Sequence, residues 1–271
     1  MAKISEDGRH YYIERIKPYK TSIDRIFARE KDALAAITKE PDTAPFIRLT
    51  LAEEMLNLFS NYMVINGVSE AVLKIKNEDA LNDGRKSLYK SLICLEQLVS
   101  NYVDAPFADY EEKLEEIASI DAARRHRLIR KMGFAVTMLE TAYGDHSKWK
   151  WSFVELEGRY AAVAKNMLDL KNAVANTDPR SPHYEPTVLY IRLIKKLLAQ
   201  AADRYRQKYE LSTNHFDDFR MGINFLGALR RIYTLMGDRE DAEEARKKMD
   251  SWNAKLEADI KRKKEEPAKK K

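Results

Sequence analysis

The sequence predicts an all-α protein, built as an elongated antiparallel bundle of αα-hairpins with about eight helices. Nine Gly and eight Pro among 271 residues fall well below ordinary usage, which disfavours turn-rich β folds and Gly-rich nucleotide loops. Apolar residues recur at helical spacing along most of the chain, and a hydrophobic fraction of 44% is enough for a sizeable core.

The first two predicted helices lie on either side of a proline-rich loop. Helical spacing runs from Ile16 to Ile37, and Pro18 is expected to kink this helix or to start its main part. The sequence PDTAP at 41–45 ends it, because its two prolines remove backbone donors. From Leu51 to Ile65 the apolar residues cover more than one face, so the second helix is expected to be central.

Glycine-containing segments predict the next boundaries. The dipeptide Asn66-Gly67 and the tripeptide Asn-Asp-Gly at 82–84 are interpreted as turns or helix ends. Gly144 and Gly237 each precede an Asp and predict tight αα-hairpins. The elements expected between these points are a helix at 85–102, a break at 103–107, a short acidic helix at 111–117, and a helix that starts near Ser119 or Asp121 and ends at Tyr143.

The strongest periodic pattern lies in the middle of the chain. Eight apolar residues repeat there with spacings of four and three, as in a heptad seam: Trp149, Phe153, Leu156, Tyr160, Val163, Met167, Leu170 and Val174. This pattern predicts one straight helix of about 28 residues, which is about 42 Å long at ~1.5 Å per residue. A loop with three prolines follows at 177–186 and marks a boundary.

Three further helices are predicted after this loop, at 189–209, at 216–233 and from Asp238 onward. Ser212 or Thr213 is expected to cap the second of them. The pattern divides the chain into four parts: an N-terminal sub-bundle at 1–105, a central long-helix hairpin at 106–178, C-terminal hairpins at 187–260 and a basic disordered tail at 261–271. The first three parts are expected to form one continuous helical body.

The run from Leu226 to Met249 resembles a single tetratricopeptide-type helical hairpin. The matching positions are Leu229, Tyr233, Gly237 and Ala242. Arg246 departs from the family pattern at a position where a bulky apolar residue is expected, and no second copy follows at the repeat period of about 34 residues. The resemblance implies tetratricopeptide-like packing at the C-terminal end and a surface that binds a protein or a peptide.

The positive charge of the chain is concentrated at its C-terminal end. The formal net charge is +5, with 48 basic and 43 acidic residues, but the segment 261–271 holds seven basic and two acidic residues and leaves 41 of each sign elsewhere. We expect disorder beyond about Arg262 and weak, sequence-independent contacts with anions. The candidate contacts in this segment are Lys261, Arg262, Lys263, Lys264, Lys269, Lys270 and Lys271.

A second basic stretch, ARRHRLIRK at 123–131, lies just after the acidic stretch DYEEKLEE at 109–116. It could hold phosphate or nucleic acid, but two short helices of opposite charge that fold together would neutralise each other, and we favour that simpler interpretation. Its candidate anion contacts are Arg124, Arg125, Arg127, Arg130 and Lys131.

The sequence predicts no catalytic residue, cofactor or metal site. It contains no P-loop, GxGxxG, ExxH or HExxH motif, and none of the five histidines lies three or four residues from another. His215, Asp217 and Asp218 are better explained as the start of a helix than as metal ligands. The single cysteine, Cys94, is expected to be buried and inert. The sequence shows no apolar signal segment and no long apolar stretch. We therefore expect a cytoplasmic protein without a transmembrane segment.

The remaining candidates are contact residues for a partner. Trp149 and Trp151 flank Lys150, so only one of the two indoles can face the seam. His183 and Tyr184 lie in the proline-rich loop. The leading hypothesis is a non-enzymatic scaffold or adaptor that contacts a protein partner or a second copy of itself. The alternatives are weak binding of nucleic acid or an anionic surface through the lysine-rich tail, and a ligand-binding or enzymatic bundle without a visible motif.

Overall fold

The computed structural model describes residues 5–144 and 147–265 of the chain. Within these residues it contains ten α-helices, eight of them with 17 residues or more, and no β-strand, which confirms the all-α prediction. The helices are α1 (Glu6–Lys39), α2 (Ala44–Leu73), α3 (Glu78–Leu98), α4 (Glu111–Glu116), α5 (Ala122–Tyr143), α6 (Lys150–Asn166), α7 (Leu170–Ala175), α8 (Tyr184–Lys208), α9 (Phe216–Met236) and α10 (Arg239–Glu265). No helix in this described part is long and apolar enough to cross a membrane.

The chain forms two compact units, each assembled from segments that are far apart in the sequence. The first unit comprises the described residues within 1–99, 113–120 and 127–150, and the second comprises those within 100–112, 121–126 and 151–271. Helix α5 therefore contributes its first turn to the second unit and its remainder to the first.

Helix α2 is the centre of the first unit, as its apolar character on more than one face predicts. It packs against both α1 and α3. Part of the core is built from Ile23 and Ile26 of α1 with Met55 and Leu58 of α2. Since α2 buries residues on several sides, its sequence lacks the amphipathic pattern of a surface helix.

Two of the glycine-containing turns predicted in this unit are wrong. Helix α2 continues through Asn66 and Gly67, and the Asn66 side chain instead accepts a hydrogen bond from the backbone N–H of Asn77 at 2.8 Å. Helix α3 continues through 82–84, where the buried Gly84 lies against Phe59: a Cβ there would be 3.4 Å from the ring, at van der Waals contact distance. The first segment thus closes the α2–α3 loop and the second lies in the packed part of α3, and neither ends a helix.

Pro18 does not start a helix, because α1 runs without interruption from Glu6 to Lys39. The proline and Glu14, whose carbonyl loses its helical donor, are both exposed, so water can satisfy that carbonyl. At its other end α1 stops before the PDTAP loop, as predicted, and a single 3₁₀ turn over Pro41–Thr43 leads into α2.

In the second unit α9 packs against both α8 and α10. Gly237 has φ +79° and ends α9 in the left-handed conformation, which confirms the predicted hairpin between α9 and α10. Stacked aromatic rings fill the space between these helices: Tyr209 and Phe219 lie parallel with centroids 4.8 Å apart, and Trp252 of α10 lies 5.6 Å from Phe219.

The single long helix predicted from the heptad seam is wrong. Helix α6 ends at Asn166 after 17 residues, and α7 begins four residues later. The Asn166 side chain donates to the carbonyls of Ser100 and Tyr102 at 2.8 and 3.0 Å, and Asp169 caps α7 by accepting from the N–H of Asn172. Polar tertiary contacts therefore interrupt a helix that apolar spacing alone would continue.

The predicted N-cap of α9 is also wrong. The capping position is His215, without a side-chain bond, and a π-helical turn over Tyr209–Thr213 precedes it. Thr213 uses its hydroxyl to donate to the carboxylate of Asp218 at 2.6 Å. That carboxylate also pairs with Lys208 at 2.7 Å, which links the end of α8 to the first turn of α9.

The expected disorder beyond Arg262 is wrong for the described residues, because α10 continues to Glu265. Arg262 pairs with Asp259 one turn earlier at 2.9 Å. The ammonium group of Lys263 lies 5.0 Å from the ring centroid of Phe216. Cations in the last turn also interact favourably with the helix dipole, so these contacts explain the additional turn.

Candidate functional site

The two candidate tryptophans lie in different units, and both side chains are half-buried. In the first unit the guanidinium of Arg85 lies 4.6 Å from the ring centroid of Trp149, and the ring of Tyr143 lies 6.4 Å from it. Trp149 is therefore held by contacts within its own unit. Trp151 begins the portion of α6 that belongs to the second unit.

The two candidates in the proline-rich loop lie at the start of α8. His183 is the capping residue and is exposed, with no side-chain hydrogen bond to the helix. Tyr184 is the first helical residue and is half-buried. The loop therefore presents one imidazole to solvent, beside an acidic residue of the first turn, Glu185.

The basic stretch at the start of α5 is not uniformly accessible. Its exposed members are Arg124, Arg127, Arg130 and Lys131. Arg125 is only 5% exposed, and its guanidinium donates to the backbone carbonyl of Met167 at 3.3 Å. Burial lowers the pKa of Arg125, and the side chain acts as an internal anchor for the end of α6.

The structure describes only some of the candidate cations at the C-terminal end. Lys261, Arg262, Lys263 and Lys264 lie exposed on the last turns of α10. Lys269, Lys270 and Lys271 lie outside the described residues. Because Arg262 already pairs with Asp259, fewer than four of the helical cations are fully available to a partner.

The described residues contain no group of three or more His, Cys, Asp and Glu side chains that could hold a metal ion. Cys94 is half-buried on α3. Burial, reinforced by Glu30, raises the pKa of its thiol, which favours the protonated form.

A further feature, which the sequence did not predict, is an open groove in the first unit with a volume of about 740 Å³. One wall comes from α2 and the residue Lys76, and the other from α5. The α2 side is lined by Ser60, Met63, Val64, Asn66, Gly67 and Glu70. The α5 side is lined by Phe134, Thr137, Met138, Thr141 and Ala142. On each helix these positions recur at helical spacing, so each wall is a single stripe of side chains.

The α2–α5 groove is mainly apolar and accessible. Phe134 is 67% exposed and Val64 is 37% exposed, while Met63 and Met138 are half-buried. At Gly67 a Cβ would have no heavy atom within 4 Å, so the wall has open space there. Exposed aromatic and aliphatic groups around a concave surface are typical of a binding site.

Two residues of opposite charge lie among the lining side chains. Lys76 donates to the carbonyl of Tyr143, the last residue of α5, at 3.3 Å. Glu70 is exposed and forms no hydrogen bond or ion pair within the described residues. The groove therefore combines an apolar surface with one available carboxylate and one anchored ammonium group.

A buried polar cluster in the second unit was also missed from the sequence. Lys165 is 4% exposed, and its ammonium donates to the carbonyl of Ala105 at 3.0 Å while lying 5.2 Å from the ring centroid of Tyr110. Within the described residues no carboxylate forms an ion pair with it. Burial, with a smaller effect from Arg231, lowers the pKa of Lys165 to about 8.

This cluster holds a loop in place. Lys165 and Asn166 together bind three carbonyls of the segment 100–105. The buried polar atoms that have no protein partner among the described residues include, in this unit, the hydroxyl of Tyr110, Oδ1 of Asn166 and the hydroxyl of Thr187. From helical spacing, the sequence predicted that the region around Lys165 belongs to an apolar seam. Helical spacing indicates which residues are buried, but it does not reveal polar contacts with a distant loop.

Comparison with known protein families assigns the chain to one of them. The model of the TP0443 family matches residues 8–260. This protein belongs to the TP0443 family. Neither the curated proteins nor the solved structures gave a match. The range shared with the TP0443 family includes every residue that lines the α2–α5 groove and the Lys165 cluster, whereas the segment 261–271 lies beyond it.

Proposed function

We propose that this member of the TP0443 family is a non-enzymatic helical interaction protein that acts through protein–protein contacts, with the α2–α5 groove as its docking surface. The observation that carries this proposal is the open apolar groove itself, lined by one stripe of side chains from each of two helices. The single half-buried cysteine suits a reducing compartment, so we propose a cytoplasmic location.

The dimensions of the groove fit a helix presented by another protein molecule. The α2 wall extends from Ser60 to Glu70, about 15 Å at ~1.5 Å per residue, which matches two to three turns of a docked helix. Helix-in-groove recognition uses apolar anchors at positions i, i+3, i+4 and i+7, which suit a groove between two stripes.

The side chains of the groove suit binding more than chemistry. Met63 and Met138 can adapt to different apolar anchors because the thioether chain is flexible and polarisable. Burying two or three apolar anchors contributes about 1.5–3 kcal/mol each before the entropy lost on association is subtracted, which supports moderate affinity.

Contact with nucleic acid or an anionic surface is the second candidate function. It is favoured by the four cations at the end of α10, which form a local concentration of positive charge. The pair between Arg262 and Asp259 reduces that charge, and such contacts would be weak and sensitive to salt.

A photocrosslinking experiment tests the docking surface. Benzoylphenylalanine replaces Thr137, an exposed residue of the groove, and crosslinked products from cells are compared with and without the substitution Phe134→Glu. We expect a protein crosslink that Phe134→Glu abolishes, because a carboxylate in an apolar contact is costly to desolvate.

The matched control is Leu211→Glu, which places the same charge at a 71% exposed residue of the second unit. This control should leave the crosslink unchanged. A crosslink that persists in Phe134→Glu, or that both variants abolish equally, would contradict the proposal.

A further inference from the structure

We propose that the molecule that fills the α2–α5 groove is a second copy of this chain, in a two-fold dimer in which Phe134 of each copy inserts beside Gly67 of the other. This inference rests on the proposed function and names the partner. A two-fold interface uses one patch on both molecules, so that patch must contain both a protruding group and a space that receives it.

The groove contains both features. Phe134 is 67% exposed on the α5 wall, although it is a large apolar side chain. Gly67, on the opposite wall, leaves space in which a Cβ would meet no heavy atom within 4 Å. Met63 and Met138 line the same groove and can adjust to an inserted ring, with which thioethers make favourable contacts.

The charges of the groove favour a copy of the same chain over a partner of one charge. Among the described residues that line it, Glu70 and Lys76 are the only charged ones. In a two-fold arrangement, Glu70 of each copy faces Lys76 of the other, so the dimer contains two such pairs and each of the four charges is compensated once. A strongly acidic or basic helix would compensate one of them and repel the other.

The size of the groove sets the expected affinity. Twelve of the residues that the structure describes line it, against about 20–30 residues on each side of a stable interface. We therefore expect a monomer–dimer equilibrium in the micromolar range and not an obligate dimer.

Sedimentation equilibrium of the full chain from about 1 to 300 μM tests this inference. The wild-type mass should rise with concentration from the monomer value of 31.5 kDa towards twice that value. Phe134→Glu and Gly67→Leu should remain monomeric, the first by adding a charge and the second by filling the space. Leu211→Glu should dimerise like the wild type.

Both groove substitutions are at accessible positions, so the folded monomer is expected to accommodate them, and circular dichroism with thermal unfolding checks this. Exchanging the charges of Glu70 and Lys76 gives a second test, which does not depend on how the apolar side chains pack. Glu70→Lys and Lys76→Glu should each weaken the dimer at least tenfold, because each creates two like-charge contacts. The double variant should recover most of the loss, since the pairs are restored with reversed signs.

A wild-type chain that stays monomeric at 300 μM overturns the inference of a second copy. If the crosslink at Thr137 is then still abolished by Phe134→Glu, the proposed function stands with a different protein as partner. A dimer that Phe134→Glu and the charge exchange leave unchanged also overturns the inference, because the copies would then meet through another surface.

Discussion

At the residue scale, Lys165 predicts an unusual dependence of stability on pH. Its pKa of about 8 in the folded protein compares with 10.5 for an ordinary lysine. Between these values the unfolded chain binds the proton and the folded chain releases it, so the free energy of unfolding should rise with pH over this range. At pH 7 the folded protein contains a buried ammonium, which costs about 3.5 kcal/mol at ~1.4 kcal/mol per pKa unit.

We therefore expect Lys165→Met to increase the free energy of unfolding at pH 7 by about 2.5 kcal/mol, after about 1 kcal/mol is subtracted for the lost hydrogen bond to Ala105. The advantage should disappear as the pH rises from 8 to 10.5, as measured by urea unfolding of both proteins. Contributions from the tyrosines are common to both proteins and cancel in the difference.

Lys131→Met serves as the control, because Lys131 is exposed and keeps its hydration in the folded state. It should change the free energy of unfolding at pH 7 by less than about 0.5 kcal/mol, as is usual for a substitution at an exposed position. A Lys165→Met variant that is less stable than the wild type at pH 7 would mean that the contacts with Ala105 and Tyr110 outweigh the burial of charge.

At the element scale, the α9–α10 hairpin depends on the backbone conformation of Gly237. With φ +79°, an L-residue with a Cβ is strained there by about 1–2 kcal/mol. We expect Gly237→Ala to lower the free energy of unfolding by about this amount, and Gly237→Asn to lower it less, because Asn tolerates the left-handed region.

Gly227 of α9 provides the comparison for this prediction. A Cβ there would lie 3.6 Å from the terminal methyl group of Met249, an ordinary contact, and the residue is inside the helix. Gly227→Ala should therefore be neutral or stabilising by up to about 1 kcal/mol. If both substitutions have the same effect in chemical denaturation, the turn conformation does not control the stability of the hairpin.

The sequence predicted helices more reliably than it predicted their ends. The stop before the PDTAP loop and the hairpin at Gly237 follow from the backbone chemistry of proline and glycine, which acts locally. Gly84 and Asn166 gave wrong boundaries because their roles depend on distant residues. Gly84 packs against Phe59, and Asn166 binds the 100–105 loop, so neither role is visible from helical spacing.

At the scale of the whole molecule, composition and periodicity were sufficient for the all-α class but not for the arrangement of the chain. The two units take up discontinuous segments, and α5 contributes to both. The candidate groove was missed for the same reason: Met63 was assigned to a central helix and Phe134 was not singled out, since only the fold brings α2 and α5 together. Local patterns cannot distinguish a buried apolar residue from one that lines a groove.

The distribution of charge over the whole molecule predicts how it responds to a polyanion. The residues before 261 carry equal numbers of acidic and basic groups, whereas the segment 261–271 carries a net charge of +5. Binding to duplex DNA should therefore be weak, and removal of 266–271, with its three lysines, should reduce the slope of log K against log salt by up to about three.

This truncation leaves α10 complete to Glu265, so the folded units are expected to remain intact. Replacing Arg124, Arg127 and Arg130 by Gln is the matched comparison, because it removes the same number of positive charges from α5. If anion binding belongs to the C-terminal segment, fluorescence anisotropy with labelled DNA should show the reduced slope only in the truncated chain. A reduced slope only in the arginine variant would assign anion binding to α5, where the acidic residues 109–116 would then fail to neutralise the basic stretch.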